Sequence, residues 1–207
     1  MLFRSQFRPF GLDLAEKMVE YARQRIPDLV AEVDDAANLD ACFPGQSFDL
    51  VCTHFITGFV PMRVLTPKIW NRLEEGGYWS LVGGTKAGFP ALQAKADTWL
   101  IRQLCRAGSR KLDDALLNTA DRDEVVRTLA ANGFKVCAAE TFEPVLDFPN
   151  FDEFMEFAHR GGWFTPLIEA LGVHEAGAVT RWLFNRFLFP IQDHHSIAIV
   201  LARKVGR

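Results

Sequence analysis

The sequence predicts an α/β protein built on a mostly parallel sheet. From about residue 7 to about residue 143, short apolar runs alternate with segments of helical periodicity, which is typical of repeated strand–helix units. The run "FDLVCT" at 48–53 is almost continuously apolar, as in a parallel strand covered on both faces. The last run, "SIAIVLARKV", predicts a strong closing strand. These three observations together indicate the fold class.

The first elements follow in the order strand, helix, strand, strand. "QFRPFGLD" predicts the first strand, although Pro9 favours an edge-like or irregular one. A helix follows from Ala15 and stops at Pro27, because apolar side chains recur at three- and four-residue spacing between them. Those side chains are Met18, Val19, Ala22 and Ile26. "LVAEVD" then predicts the second strand and 48–53 the third.

The next elements are marked by caps as well as by periodicity. A helix over "VLTPKIWNRL" is followed by a glycine pair suited to a left-handed C-cap, and then by the strand "YWSLVG". An amphipathic helix is predicted over 90–108. In "DRDEVVRTLAANGF", Asp121 can cap a helix, Glu124 completes a capping box, and Gly133 precedes the strand "FKVCAAETF".

Residues 151–189 differ from the rest of the chain. They contain short aromatic-rich segments of helical spacing, "FDEFMEFA", "WFTPLIEALG" and "AVTRWLFNRFLF". We expect one domain over 1–207, with 151–189 as a helical insertion that forms part of a lid over an apolar substrate. Amphipathic core packing explains the same residues, and Phe, Trp and Leu at helical spacing are usually core.

Composition and charge limit the function classes. With 207 residues, 49% of them hydrophobic, the chain can bury a sizeable core, and a net charge of −3 argues against a nucleic-acid partner. Four cysteines without a C-x-x-C pair, and five histidines without ligand spacing, predict neither disulfides nor a metal site. No apolar leader and no run of 18 apolar residues occur, so we expect a soluble cytoplasmic protein without a membrane partner. The oligomeric state is not indicated.

Five segments in order resemble the class I S-adenosylmethionine-dependent methyltransferases of the small-molecule kind. "GLDLAEKM" is similar to the family's G-x-D-x-S-x-x-M, and "VDDAANLDACFPGQSFDLV" to its D-A-x-x-L-P-F-x-x-x-S-F-D-x-V. "LEEGGYWSLV" resembles L-K-P-G-G-x-L, "EVVRTLAANGFKV" the late helix and strand, and "SIAIVLARK" the closing strand. Ala15 departs from the usual Ser or Thr, and Glu74-Glu75 from Lys-Pro. The resemblance implies a Rossmann-like sheet, S-adenosylmethionine as cofactor and methyl transfer to a small-molecule substrate.

The resemblance also implies particular nucleoside contacts. Asp13 would bind the ribose hydroxyls, which agrees with the rule that ligands gather at the carboxyl ends of parallel strands. The alternative is that Asp13 merely caps the following helix. Asp35 would accept from the adenine amino group while the Ala36 N–H faces a ring nitrogen, with Asp34 as the competing carboxylate. Leu14 would pack on the nucleoside, unless it is an ordinary helix-face residue.

Thr53 and His54 follow the third strand at its carboxyl end. We assign Thr53 to the cofactor side and His54 to the substrate side, where a histidine could act as general base. A packed or loop histidine is the favoured alternative, so the catalytic residue is left open. The pair His194–His195 predicts a turn before the last strand rather than a site.

One family feature has no counterpart in the sequence, namely a first strand ending in E/D-x-G-x-G-x-G. In the family's strand order, 3-2-1-4-5-7-6, that strand is the middle one, and a strand–helix–strand unit needs about 30 residues where only twelve precede Asp13. We therefore expect an N-terminally truncated methyltransferase fold that lacks its first strand and helix and has impaired cofactor binding. The alternative function is a non-catalytic, methyltransferase-like partner or remnant, and a dehydrogenase is a weaker third.

Overall fold

The computed structural model describes residues 7–96, 98, 99, 117–162, 165, 168 and 173–206. Its strands are β1 (Phe10–Asp13), β2 (Val30–Val33), β3 (Phe48–His54), β4 (Leu73–Gly84), β5 (Phe134–Phe142), β6 (Val145–Phe148), β7 (Ile191–His194) and β8 (Ile197–Lys204). Its helices are α1 (Glu16–Arg25), α2 (Met62–Arg72), α3 (Pro90–Ala96), α4 (Arg122–Ala131), α5 (Phe151–Gly161) and α6 (Ala178–Phe187). Short 3-10 helices cover Ala36–Asn38, Ile56–Gly58 and Val173–Glu175.

The strands form a mixed α/β architecture. β1 and β2 make a parallel pair, and a separate four-stranded sheet has the order β3-β4-β8-β5. β3 is parallel to β4, whereas β8 runs antiparallel to both β4 and β5. The predicted α/β fold class is confirmed, and the antiparallel closing strand makes the sheet mixed.

The two sheets are separate at the point where the family's order has its middle strand. Among the described residues, β1 pairs only with β2, and β3 pairs only with β4. The edge of β1 away from β2 and the edge of β3 away from β4 therefore have no described strand partner. The starts of β1 and β3 are nevertheless neighbours, because the Phe10 and Phe48 rings lie 5.2 Å apart and both contact Phe43. The strand order is therefore compatible with the predicted one, with its middle position unfilled by described residues.

One face of the four-stranded sheet carries a compact core. Trp79, Leu81 and Val200 are almost fully buried there. They belong to one hydrophobic cluster with Leu65 and Ile69 of α2, and with Val125 and Leu129 of α4. The alternating strand pattern thus buries every second residue against two amphipathic helices.

The other face of this sheet is exposed. Leu50, Tyr78, Ile199 and Leu201 have exposed fractions of 46%, 38%, 40% and 36%. The prediction that the strand at 48–53 is covered on both faces is therefore wrong for the described structure. The helix α1 differs from its prediction in the same way, since Val19 is buried while Met18 and Ile26 are 54% and 44% exposed.

The aromatic-rich region has a core of its own. Side chains of α5 and α6 pack with Phe148, Phe189 and Ile191 in a second cluster. The antiparallel pair β6–β7 borders this region, and neither strand is predicted by the sequence pattern. Of the helix predicted over 90–108, the structure describes Pro90–Ala96, and the rest lies outside the described residues.

The helix α4 has the N-cap that the sequence predicts. Asp121 accepts a hydrogen bond from the backbone N–H of Glu124 at 2.7 Å. The Glu124 carboxylate reaches back to the N–H of Ala120 rather than to that of the cap residue itself.

No helix in the described part of the chain is both long and apolar enough to span a bilayer.

Candidate functional site

The carboxyl ends of β1 and β2 meet at one rim of their sheet. The register pairs Asp13 with Val33, and the N–H of Asp34 donates to the carbonyl oxygen of Asp13 at 3.2 Å. The loops that begin at Asp13 and Asp34 are therefore in contact through the backbone. This arrangement brings the predicted ribose and adenine acids to the same edge, as parallel pairing of adjacent strands requires.

Asp13 is exposed and makes one local hydrogen bond. Its Oδ1 accepts from the N–H of Ala15 at 2.8 Å, just before α1 begins. Its other carboxylate oxygen has no hydrogen-bond donor among the described residues. Asp13 is not the N-cap of α1, because the cap residue is Ala15 and no side chain caps this helix. Its carboxylate therefore retains an oxygen that a ligand or solvent can reach.

The two acids after β2 differ in their roles. Asp34 Oδ1 accepts from the side-chain amide of Asn38 at 2.8 Å and from the N–H of Asp35 at 2.7 Å. The Asn38 hydrogen bond, and then that from the Asp35 backbone, hold the pKa of the Asp34 carboxyl below its ordinary value. Asp35 caps the short helix at Ala36–Asn38 by accepting from the Ala37 N–H at 2.8 Å.

The turn that contains Ala36 is packed against the larger sheet. Ala36, Ala37 and Leu39 are partly buried against the cluster that includes Trp79 and Ile69. This packing connects the rim of the β1–β2 pair to the core of the four-stranded sheet. The loop after β2 is therefore supported by the core of the larger sheet, whereas Leu14 beside Asp13 is 72% exposed.

Thr53 and His54 end β3, as predicted, but their side chains point to different surroundings. Thr53 Oγ1 accepts a hydrogen bond from the indole N–H of Trp79 at 2.8 Å, so this hydroxyl lies on the buried face of the sheet. His54 is exposed at the strand end. The geometry thus ties Thr53 to the core and leaves His54 accessible at the rim.

At the end of β4, two glycines lie close to side chains of neighbouring segments. A Cβ added to Gly83 would lie 2.7 Å from Thr57 Oγ1, and one added to Gly84 would lie 3.0 Å from His195 Nε2. Real Cβ atoms essentially never approach as closely as 2.7 Å, so a side chain at position 83 would force Thr57 to move, and one at position 84 would need His195 to shift by a few tenths of an ångström. The segment "VGGTKAGF" is therefore explained here by packing of neighbouring loops.

His195 is the feature of this rim that sequence reasoning missed. It is 6% exposed, and its ring lies 6.0 Å from that of Phe55 and 5.0 Å from that of Phe89. Burial lowers the pKa of His195 to about 4, so the imidazole is neutral near pH 7. Its position directly before the closing strand is the sequence signal, but a double histidine in a turn does not by itself indicate burial.

A family model matches the first part of the chain. Residues 2–81 match the family model described as a methyltransferase domain. Among curated protein sequences, none matches this chain.

Solved structures show the same fold over almost the whole chain. A provisionally assigned methyltransferase from Bacillus halodurans C-125 aligns with a TM-score of 0.57 and 14% identity, covering 95% of this chain and 83% of that one. The YcgJ protein of Bacillus subtilis aligns with a TM-score of 0.57 and 17% identity, covering 97% and 84%. A functionally unknown protein of Deinococcus radiodurans R1 gives 0.51 and 14%, covering 95% and 69%.

The solved structures share the fold of this chain, and the family model covers its first part. The predicted resemblance to the S-adenosylmethionine-dependent methyltransferases of class I is confirmed by the family match and the structural neighbours.

Proposed function

We propose that this chain carries the nucleoside half of an S-adenosylmethionine site and belongs to an enzyme that methylates a small molecule. The observation that carries the proposal is the backbone contact between the Asp13 and Asp34 loops. That contact brings two acceptors, Asp13 and Asp35, to adjacent strand ends at one rim.

The chemistry of these residues suits a nucleoside. Asp13 has an exposed carboxylate oxygen for the ribose hydroxyls, and Asp35, with the N–H of Ala36, offers an acceptor and a donor to an adenine edge. Leu14 supplies apolar surface beside them, and Thr53 would act by supporting the end of β3. When bound, S-adenosylmethionine supplies an electrophilic methyl group that is already activated by the sulfonium charge.

The acceptor would lie at the rim formed by β3 and β4. His54 is the accessible titratable group there and is our candidate for contact with the substrate. The helices α5 and α6, within the segment 151–189, would form part of a lid over an apolar acceptor. Such a site needs positioning more than acid–base chemistry, because bringing the two reactants together supplies much of the rate.

We further propose that methyl transfer is impaired in this chain as it stands. No described segment offers a glycine-rich turn to the methionine part of the cofactor, and the position between β1 and β3 is unfilled by described residues. Among the described residues, the acids at the ends of β1 and β2 would suit the nucleoside, and none would provide a cradle for the amino-acid part.

Titration with S-adenosylhomocysteine and with adenosine separates these two claims. We expect no micromolar calorimetric binding of S-adenosylhomocysteine, and we expect amide shifts at Asp13, Asp35 and Ala36 in NMR spectra at millimolar adenosine. In Asp13→Asn and Asp35→Asn the shifts should weaken, whereas Asp28→Asn, in the α1–β2 turn, serves as the control. Micromolar binding refutes the impairment, and adenosine shifts elsewhere refute the site.

The alternative function is a non-catalytic, methyltransferase-like partner or remnant. The exposed apolar face of the four-stranded sheet favours it, since such surfaces often mark interaction sites. The genomic DNA ahead of the start codon discriminates the two. An in-frame strand with a G-x-G-x-G turn supports the enzyme, and an in-frame stop codon supports the partner.

A further inference from the structure

Most of the described elements fall into two groups with separate hydrophobic cores. The first, which we call the sheet group, consists of β3, β4, β5, β8, α2 and α4, and its core contains Trp79. The second, which we call the lid group, consists of α3, β6, β7, α5 and α6, and its core contains Phe151 and Phe184. The extensive contacts between described elements lie within each group rather than between the two. The lid group can therefore move as one body.

Polar contacts also hold the lid group together. Asp193 of β7 accepts from the N–H groups of Ala91 and Leu92 in α3, at 3.2 and 2.7 Å. Lys95 of α3 donates to the carbonyl oxygen of Leu188, at the end of α6, at 2.7 Å. A movement of β7 is therefore transmitted to both helices.

The lid group is carried on a continuation of the β5–β8 ladder. The last pair of that ladder is Phe142 with Ile197, and the first pair of the β6–β7 ladder is Val145 with His194. The register is the same in both ladders, and two residues of each strand lie between these pairs without ladder pairing. The two antiparallel pairs thus form one ribbon with an interruption in its middle.

The sequence explains this interruption. Pro144 has no N–H to donate to the opposite strand. On that strand, the carbonyl oxygen of His194 accepts from Phe89 at 2.6 Å, and that of Ser196 accepts from Thr85 at 2.9 Å. These bonds tie the interruption to the segment between β4 and α3, which also joins the two groups. We call the three described connections between the groups the hinge: 85–89, 143–144 and 195–196.

A stack of three aromatic rings joins the two groups at the hinge. The His195 ring lies 6.0 Å from that of Phe55, which follows β3, and 5.0 Å from that of Phe89, which precedes α3. Both phenylalanines have a left-handed backbone, with φ of +55° and +58°. Bulky residues rarely adopt this conformation, and they keep it only where the surrounding contacts enforce it. Backbone strain is therefore present on both sides of His195.

We propose that the stack of Phe55, His195 and Phe89 is a latch, and that the lid group turns about the hinge as one body when this latch opens. Opening separates the His195 ring from Phe55, relieves the backbone strain and widens access to the rim where β3 and β4 end. The purpose of the movement rests on the function proposed above, because that rim would take the methyl acceptor. The latch would then control entry of the acceptor.

Native-state hydrogen exchange tests the latch from the sheet side. Phe55 lies outside the core of the lid group, so Phe55→Leu acts on that group only through the stack. We expect amides of α5 and α6 to exchange at least about fivefold faster in this variant, and amides of β4 and β8 to be unchanged. Unchanged exchange in α5 and α6, or equal acceleration in β4 and β8, overturns the latch.

Phe43→Leu is the matched control for this experiment. Phe43 is also a buried phenylalanine with a left-handed backbone, at φ of +48°, but its ring packs against Phe10 and Phe48. This variant should leave exchange in α5 and α6 unaltered. Acceleration there in Phe43→Leu would show that any lost aromatic ring loosens the lid group, and the latch would be refuted.

The opening is also measured at His195 itself. Diethyl pyrocarbonate modifies neutral imidazoles that solvent reaches, and His195 is 6% exposed whereas His159 on α5 is exposed. Near pH 7.5, we expect His195 to react at least about tenfold more slowly than His159 and to gain at least about fivefold in Phe55→Leu, with His159 unchanged. Equal His195 rates in Phe55→Leu and the parent chain contradict the latch.

The hinge is tested by restoring the ladder. The carbonyl oxygen of Pro144 accepts from the N–H of His195 at 3.0 Å, so Pro144→Val supplies the N–H that completes a pair between these positions. A continuous ribbon is stiffer, and we expect amides of α5 and α6 to exchange at least about threefold more slowly. Pro149→Val, at an exposed proline after β6, is the control and should not slow them.

Slowing by both proline variants, or by neither, overturns the hinge. None of these measurements needs a ligand. Loss of the expected adenosine shifts would therefore refute the proposed nucleoside site and leave the latch standing, whereas unaltered exchange in Phe55→Leu would refute the latch and leave that site standing.

Discussion

His195 shows how much a single side chain depends on its tertiary surroundings. Its ring lies between loops from three parts of the chain, beside Phe55, Phe89 and the Gly84 backbone. Its immediate neighbours in sequence, His194 and Ser196, carry no carboxylate, so the sequence suggests an ordinary turn. Burial alone then favours the neutral imidazole.

The lowered pKa of His195 predicts acid sensitivity. The folded-state pKa of about 4 lies below the ordinary value of 6.5, so protonation favours the unfolded chain. This contribution to stability is complete above about pH 6.5 and is lost as the pH falls toward 4. Between about pH 7.5 and about pH 5, we expect about 2 kcal/mol to be lost through this group.

Urea unfolding at the two pH values measures this loss. The pH-dependent difference should shrink by most of that amount in His195→Gln, although this variant will itself be less stable at neutral pH. His54→Gln, at an exposed position on the same rim, is the control and should leave the pH dependence unchanged. An unaltered difference in His195→Gln would show that other groups cause the acid sensitivity.

At the scale of elements, α3 depends on a residue far away in the sequence. Asp193 on β7 is 1% exposed, and its carboxylate accepts from the N–H groups of Ala91 and Leu92 at 3.2 and 2.7 Å. It also accepts from the N–H of His194. The first turn of the helix is therefore capped by a strand about a hundred residues later, and not by a neighbour.

Removing this cap should destabilise the protein. Asp193→Ala leaves buried N–H groups without acceptors, so we expect the free energy of unfolding to fall by about 2–4 kcal/mol. Thermal or urea denaturation checks this value. Asp147→Ala, whose exposed carboxylate accepts from the Gln192 side chain, should cost about 1 kcal/mol or less. Equal losses for the two variants would contradict the capping role.

At the scale of the whole molecule, the four-stranded sheet is packed against a much larger core than the β1–β2 pair. The four-stranded sheet packs on a cluster with several side chains below 2% exposure, whereas in α1 only Val19 is buried. The β1–β2 pair is therefore expected to open before the rest of the fold, because local stability follows buried apolar contact.

Native-state hydrogen exchange tests this inequality. Amides of β1 and β2 should exchange about 100-fold faster than the paired amides of β4 and β8 under native conditions. The amides of β4 and β8 should exchange only through global unfolding. Similar rates in both sheets would show that the chain unfolds as a single cooperative unit despite the break in the sheet.

Much of the fold could be predicted because many of its elements depend on residues that are close together in the sequence. The cap at Asp121, the glycine at position 133 and the alternation in β8 each depend on residues a few positions apart. The order of the methyltransferase-like segments likewise could be identified by reading along the chain. The positions of Asp13 and Asp35 at adjacent strand ends follow from parallel pairing.

The sequence by itself determined the order and type of most elements, the α/β class and the acids at the ends of β1 and β2, because periodicity and caps are short-range properties. Only the tertiary structure decided that β3 is covered on one face, that Thr53 bonds Trp79, that Asp193 caps α3 and that His195 is buried. Those outcomes depend on contacts between residues far apart in the chain, and no local pattern specifies which surfaces meet or which remain exposed.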